Sequence, residues 1–193
     1  MTQNDPGSIS SALARAHDKD IVSLTYTGVH LIYDTLKIPK GVTLEGKTTG
    51  YSSPQAIHAT NDFPRNKPMI EMDSKTEVKK VTLNARHIAE IGIQAKGKND
   101  LTVIDSFIFN TRHDFSNETY EDGKGGETAG IYFYDCNKID INPNKIFDIG
   151  VNKINSAAGN WFSLEEVTRG PKEDGNWFST GTAIRVYKSG QSK

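Results

Sequence analysis

An internal repeat constrains the fold of this chain more than any other feature. Residues 91–112 (IGIQAKGKNDLTVIDSFIFNTR) align without a gap with residues 129–150 (AGIYFYDCNKIDINPNKIFDIG). The aligned pairs are Gly92 with Gly130, Ile93 with Ile131, Ala95 with Phe133, Asn99 with Asn137, Leu101 with Ile139, Val103 with Ile141, Ile108 with Ile146, and Phe109 with Phe147. A third copy begins at 183–187, and residues 81–85 resemble residues 101–105.

Each repeat contains three short apolar runs in which apolar and polar residues alternate, which is the pattern of β-strands. A unit of this size cannot bury its apolar side chains alone, whereas stacked units share a continuous core. The repeat therefore predicts a β-solenoid. Residues 113–128 separate the two copies, and residues 151–182 precede the third, so both segments are expected to project from corners as loops.

One helix is predicted before the strands, over residues 8–17. Ser8 is a suitable N-cap residue, and Ile9, Ala12, Leu13 and Ala16 form a single apolar face. From there on the period is two. Strands are predicted at 21–26, 36–38, 42–44, 56–59, 69–72, 81–85, 91–95, 101–104, 107–109, 131–134, 139–141, 146–149 and 183–187.

The opening segments SISSALARAH, IVSLTY and LKIPKGVTLEGK resemble the start of pectin-lyase-like right-handed β-helix proteins. The resemblance implies an all-β fold: a short right-handed parallel β-helix of about five to seven coils with an N-terminal capping helix. We predict a single β-helix domain over residues 1–193. The family contains lyases, hydrolases, epimerases, phage tailspikes and non-enzymes, so the resemblance implies contact with carbohydrate without establishing catalysis. No cluster of carboxylates in consecutive coils stands out in the sequence.

Composition excludes several function classes. The 23 basic and 24 acidic residues give a net charge of -1, so nucleic acid or an anionic membrane is not an expected partner. The single cysteine, Cys136, excludes an intrachain disulfide and a cysteine-based zinc site; we interpret it as a packing or corner residue. The sequence has no signal-peptide pattern and no apolar run of membrane-spanning length. The default expectation is a cytoplasmic protein.

The loop after residue 112 carries the candidate catalytic residues His113, Asp114 and Glu127. A histidine beside carboxylates is suited to general acid–base chemistry, and two carboxylates can flank a glycosidic bond. The competing interpretation, which we favour, is a solvated acidic loop. Calcium prefers oxygen ligands of the kind found here, but EF-hand spacing is absent. We therefore predict no metal site and no cofactor.

A duplicated tetrapeptide provides candidate ligand-binding residues. Asn160-Trp161-Phe162-Ser163 recurs as Asn176-Trp177-Phe178-Ser179, and these are the only two tryptophans of the chain. An indole covers the apolar face of a sugar ring, and a neighbouring asparagine can bind its hydroxyl groups. Two other interpretations stay open: the aromatic side chains fix residues 151–182 onto the solenoid, or they form a self-association surface.

Arg185 and Tyr187 on the last predicted strand are further candidates for contact with an acidic sugar, although such residues often form a solvated face. Asp105, Asp140 and Asp148 are weaker candidates for lining a groove. His30, His58 and His87 occur singly and without the spacing of metal ligands, so we interpret them as structural residues.

Three hypotheses follow for the function. We favour a carbohydrate-binding β-helix protein with residual or lost polysaccharide-processing activity. The alternatives are a polysaccharide lyase or glycoside hydrolase, and a structural or assembly module. The last coil begins at Ala183 and has no predicted cap. Two ways of covering this end stay open: residues 151–182 fold over it, or a second copy of the chain forms a homodimer through the C-terminal end of the solenoid.

Overall fold

Short strands and one helix make up the described part of the chain. The computed structural model describes residues 7–47, 49–50, 53, 55–111, 129–141, 144–149 and 182–187, with backbone alone at 147–149 and 182–187. The elements are α1 (Ile9–Arg15), β1 (Ile21–Ser23), β2 (His30–Ile32), β3 (Leu36–Ile38), β4 (Thr43–Glu45), β5 (Ala56–Ala59), β6 (Pro68–Met72), β7 (Glu77–Lys79), β8 (Thr82–Asn84), β9 (Ile91–Lys96), β10 (Asn99–Ile104), β11 (Ser106–Thr111), β12 (Ala129–Tyr134), β13 (Asn137–Ile141), β14 (Asn144–Ile149) and β15 (Thr182–Tyr187).

The strands form three parallel sheets, and each sheet receives every third strand. Sheet I has the order β1-β4-β7-β10-β13, sheet II the order β2-β5-β8-β11-β14, and sheet III the order β3-β6-β9-β12-β15. Three consecutive strands, one in each sheet, are called a coil below. Five such coils lie in the described residues. This all-β, all-parallel arrangement is compatible with a parallel β-helix.

The strand register confirms the sequence repeat residue by residue. Cα partners in neighbouring coils include Asn99 and Asn137, Leu101 and Ile139, Val103 and Ile141, Ile108 and Ile146, Phe109 and Phe147, Ile93 and Ile131, and Ala95 and Phe133. The third copy is confirmed too, because Ile184 is the partner of Ile131. Every apolar pair aligned above is thus stacked in neighbouring strands.

The weak copy predicted at 81–85 is wrong in its alignment. Leu83 pairs with Ile108 of sheet II rather than with a residue of 101–105, which belongs to sheet I. Alternation of apolar residues indicates which side chains point inward, but it does not distinguish one sheet of a solenoid from another. Strands β2 and β7 were not predicted.

One core runs between the sheets. It extends from Ile9 in α1 to Ile146 in β14 and includes inward-facing residues of all three sheets. Gly92 belongs to this inner surface: a Cβ atom placed on it would lie 2.6 Å from the carbonyl oxygen of Gly130 and 2.6 Å from Cγ2 of Ile108. The glycine repeated at 92 and 130 therefore permits close approach of neighbouring coils.

The helix is shorter than predicted. It spans Ile9–Arg15, and Ser8 is its N-cap, as expected, with Oγ accepting a hydrogen bond of 3.2 Å from the backbone nitrogen of Ser11. Ile9 and Leu13 are buried in the core, and α1 contacts β1 and β3. The connection from β11 to β12 includes 113–128 and that from β14 to β15 includes 151–181, and both lie outside the described residues. Thr182, predicted to end the second loop, begins β15.

Asparagines shape the corners of the last coil. Ser106 donates its backbone N–H to Oδ1 of Asn144 at 2.9 Å, and Nδ2 of Asn144 donates to the carbonyl oxygen of Val103 at 2.7 Å. Asn144 thus ties the corner between β10 and β11 to the next coil.

Candidate functional site

Two tyrosines mark the outer face of sheet III. Ile131 and Phe133 of β12 are fully buried in the core. Tyr132 and Tyr134 alternate with them and therefore lie on the opposite face of the strand. Tyr134 is 46% exposed, whereas Tyr132 is only 6% exposed. The ring that solvent reaches on this strand is that of Tyr134.

Tyr132 is held by its neighbours on that face. It forms a small apolar cluster with Ile91 and Ala129 that is separate from the main core. The ammonium group of Lys96 lies 5.6 Å from the centre of the Tyr132 ring, within the range of a cation–π contact. Gln94, its Cα partner on β9, is 8% exposed. An aromatic ring, an amide and a cation are therefore adjacent on this surface.

Two of the residues predicted from the sequence lie on the neighbouring strand. The backbone of Arg185 is in register with Tyr132, and that of Tyr187 is in register with Tyr134. The sequence analysis singled out Arg185 and Tyr187 but not their tyrosine partners. The repeat alignment contained the signal, since aligning Ile184 with Ile131 places Arg185 opposite Tyr132.

The other predicted site residues cannot be placed on this surface. His113, Asp114 and Glu127 lie outside the described residues. The same holds for the duplicated tetrapeptide, with Asn160, Trp161, Asn176 and Trp177. Their catalytic or ligand-binding roles stay predictions.

A charged cluster occupies the outer face of sheet I. Nζ of Lys79 lies 3.7 Å from Oε1 of Glu45 and 3.8 Å from Oε2 of Glu77. Glu45 and Lys79 are Cα partners on β4 and β7, in consecutive coils. Thr43 adds a hydroxyl that donates to Oε2 of Glu77 at 3.3 Å. The sequence analysis did not single out Glu45 and Glu77, which lie 32 positions apart in the chain.

The weaker aspartate candidates do not come together. Asp140 is exposed and in register with Thr102 on sheet I, and Asp105 is exposed at the corner between β10 and β11. Asp148 is described by its backbone alone. Across the described ranges, no group of three or more His, Cys, Asp or Glu is placed to hold a metal ion.

His30 and Cys136 are buried, which agrees with their predicted structural roles. The His30 ring meets that of Tyr26 edge-on, with 5.5 Å between centroids. Burial lowers the pKa of His30 below its ordinary value of 6.5, so the imidazole is neutral at pH 7. Cys136 is 1% exposed within the core, and its Sγ lies 3.3 Å from the carbonyl oxygen of Tyr134. The thiol is therefore a packing group at the end of β12.

Neither a membrane-spanning helix among the described residues nor a match to a known family was found. In the part of the chain that the structure describes, no helix has the length and hydropathy needed to cross a membrane. A scan against protein-family models finds no match, and searches of curated proteins and of solved structures find none either.

Proposed function

We propose that this chain is a right-handed parallel β-helix protein of the pectin-lyase-like kind that binds a carbohydrate. Three all-parallel sheets with every third strand in each sheet support the solenoid. Crossovers between parallel strands of one sheet are right-handed in nearly all proteins, which supports the hand. The opening segments of the sequence support the family, and the position of α1 against β1 and β3 supports its role as a cap.

The observation that carries the binding proposal is the outer face of sheet III around Tyr134. Tyr134 has an exposed aromatic ring and is the register partner of Lys96 on the neighbouring strand. The buried Gln94 and the ring of Tyr132 lie beside this pair. Sugars bind to such surfaces through ring stacking and a few polar contacts. Strands repeat at about 4.8 Å, which is similar to the rise of one residue in an extended polysaccharide, so a glycan chain crossing the strands meets successive coils.

Glycan-array binding with single variants tests this proposal. Tyr134→Ala is expected to weaken binding roughly tenfold, because the stacking surface is lost. Tyr26→Ala is the matched control, since Tyr26 is 45% exposed on the first coil. Trp161→Ala and Trp177→Ala test the second predicted platform. The carbohydrate proposal is wrong if no glycan binds. It is also wrong if the variants at Tyr134, Trp161 and Trp177 all bind as the wild type does.

An enzymatic alternative is favoured by the charged cluster of Glu45, Glu77 and Lys79. Two carboxylates beside an ammonium group, all partly exposed on one face, are groups that can supply acid–base chemistry and charge stabilisation at a polysaccharide. A turnover screen on uronic-acid and neutral polysaccharides, with and without calcium, tests it. Turnover that Glu77→Gln abolishes would support a lyase or hydrolase; absence of turnover on the whole panel would leave binding as the function.

An assembly role is favoured by the C-terminal end of the solenoid. Ile139 and Ile141 of β13 are only partly buried, whereas their Cα partners Leu101 and Val103 are fully buried. No described strand pairs with the far side of β13. With α1 packed on the first coil, the proposed contact is between the C-terminal ends of two copies, and a twofold contact of this kind closes without forming a filament.

A further inference from the structure

Two basic side chains lie next to each other on the outer face of sheet II. His58 on β5 alternates with the buried Ile57 and Ala59, so its ring lies on the outer surface. Arg86 follows β8, and its Nη1 donates to the carbonyl oxygen of Ala59 at 3.4 Å. This bond holds the guanidinium group over β5, one residue from His58. Burial first, and then the charge of Arg86, lower the pKa of His58.

Among the described residues, no carboxylate pairs with either of these two groups. Across the described ranges, neither Arg86 nor His58 forms an ion pair, and the His58 ring makes no hydrogen bond. The register positions on either side of His58 hold Leu31 on β2 and Asn84 on β8, which carry no charge. The turn that holds Arg86 continues with another titratable group, His87. Arg86 therefore gives the surface around His58 a permanent positive charge, to which a protonated His58 adds a second.

The polar atoms available here are mainly hydrogen-bond donors. Oδ1 of Asn84 already accepts from the backbone nitrogen of Arg86 at 2.9 Å and from Nδ2 of Asn110 at 3.1 Å. The acceptor of Asn84 is thus engaged, and its Nδ2 supplies donors. Arg86 uses one of its five N–H groups in the bond to Ala59. The remaining N–H groups are available as paired donors to a planar or tetrahedral anion.

We propose that His58, Asn84 and Arg86 form an oxyanion-binding site, which takes a sulfate, phosphate or carboxylate group. The guanidinium group supplies the permanent charge and paired donors, Asn84 supplies an amide donor, and His58 supplies a second charge when it is protonated. The site lies on sheet II, whereas the proposed glycan surface lies on sheet III. It therefore does not depend on the proposal of glycan binding.

Proton-detected NMR of the His58 imidazole in the full chain tests the site. Sodium sulfate, sodium phosphate and sodium galacturonate are each titrated against sodium chloride at the same ionic strength. A bound anion favours the imidazolium form, so we expect a saturable rise in the His58 pKa. Arg86→Gln is expected to weaken binding roughly tenfold or more, and Arg65→Gln, which removes an exposed arginine from another turn, is expected to leave it unchanged.

The outcomes separate the ligand sources and decide the proposal. A response to galacturonate assigns the site to an acidic sugar, and a response to sulfate and phosphate alone assigns it to an inorganic oxyanion; both support the site. An identical His58 pKa in all the salts, or equal losses in Arg86→Gln and Arg65→Gln, would overturn it. His58→Gln, followed by calorimetry with sulfate and checked by circular dichroism, gives a second measurement with the fold controlled.

Discussion

The carboxamide nitrogen of Asn137 donates a hydrogen bond to the carboxamide oxygen of Asn99, 3.1 Å away in the neighbouring coil. Both side chains are exposed, and the two residues begin β13 and β10 at equivalent positions. Asn144, which begins β14, instead bonds to the main chain on both sides of its carboxamide. The last coil therefore contains one exposed and one main-chain-bonded asparagine, whose energetic contributions can be compared.

We expect Asn144→Ala to lower the free energy of unfolding by roughly 2–4 kcal/mol, because the N–H of Ser106 and the carbonyl of Val103 lose their partner. Asn137→Ala is the matched control, with an expected change of about 0.5 kcal/mol or less because its bond is exposed to water. Urea unfolding of both variants measures the difference. Equal losses would show that Asn144 does not stabilise the corner.

Gly92→Ala is expected to destabilise the protein by about 1–3 kcal/mol. The added methyl group would overlap the main chain of Gly130 and the side chain of Ile108, and the main chain cannot yield without separating β9 from β12. Gly97→Asn is the control, since Gly97 has a φ of 63° and open space around it, and asparagine tolerates that conformation. Thermal unfolding distinguishes the two; a Gly92→Ala variant as stable as the wild type would contradict close coil packing.

Stability is expected to fall as the pH drops below about 6.5. The pKa of His30 is lowered in the folded state, chiefly by burial. As the pH falls, His30 is therefore protonated in the unfolded chain before it is protonated in the folded chain. The free energy of unfolding consequently decreases with decreasing pH. His30→Phe keeps an aromatic ring beside Tyr26 and is expected to flatten this dependence. His58 acts with the same sign, so part of the slope stays.

Urea unfolding at several pH values between 5 and 7.5 measures this effect. The range lies above the region in which Asp34 and Asp73 titrate, because hydrogen bonds from Lys67 and Lys98 lower the pKa values of these two carboxyl groups below 3.8. His17→Gln, which changes an exposed histidine, is the control. A slope that His17→Gln and His30→Phe change equally would show that burial of His30 is not its source.

If the proposed dimer forms, light scattering is expected to give a mass twice that of one chain. The Ile141→Lys variant is expected to have the mass of a single chain. A lysine there would place a charge at the core end of β13, where Ile141 is partly buried. Ile21→Lys is the control, because Ile21 is 57% exposed at the opposite end of sheet I. A wild-type chain that is monomeric over the micromolar range would contradict the dimer.

Much of the parallel-sheet architecture can be predicted from the sequence, because residues 91–112 and 129–150 repeat without a gap. The pairing of Leu101 with Ile139 and of Ile93 with Ile131 follows from aligning 91–112 with 129–150. The bounds of β5 and the Ser8 cap follow from local chemistry alone. These features depend on residues close in sequence or on copies with identical spacing.

The tertiary structure alone decided three other features: the sheet to which Leu83 belongs, the pairing of Glu45 with Lys79, and the approach of Arg86 to His58. Alternation tells which side chains point inward, but residues that meet on neighbouring strands are one full coil apart in the chain. The early coils differ in length through their loops, so register partners lie 22 residues apart between Ile21 and Thr43 but 34 apart between Thr43 and Glu77. Without a constant spacing, the sequence cannot indicate which residues of neighbouring coils come together on the outer faces, and those contacts define the proposed sites.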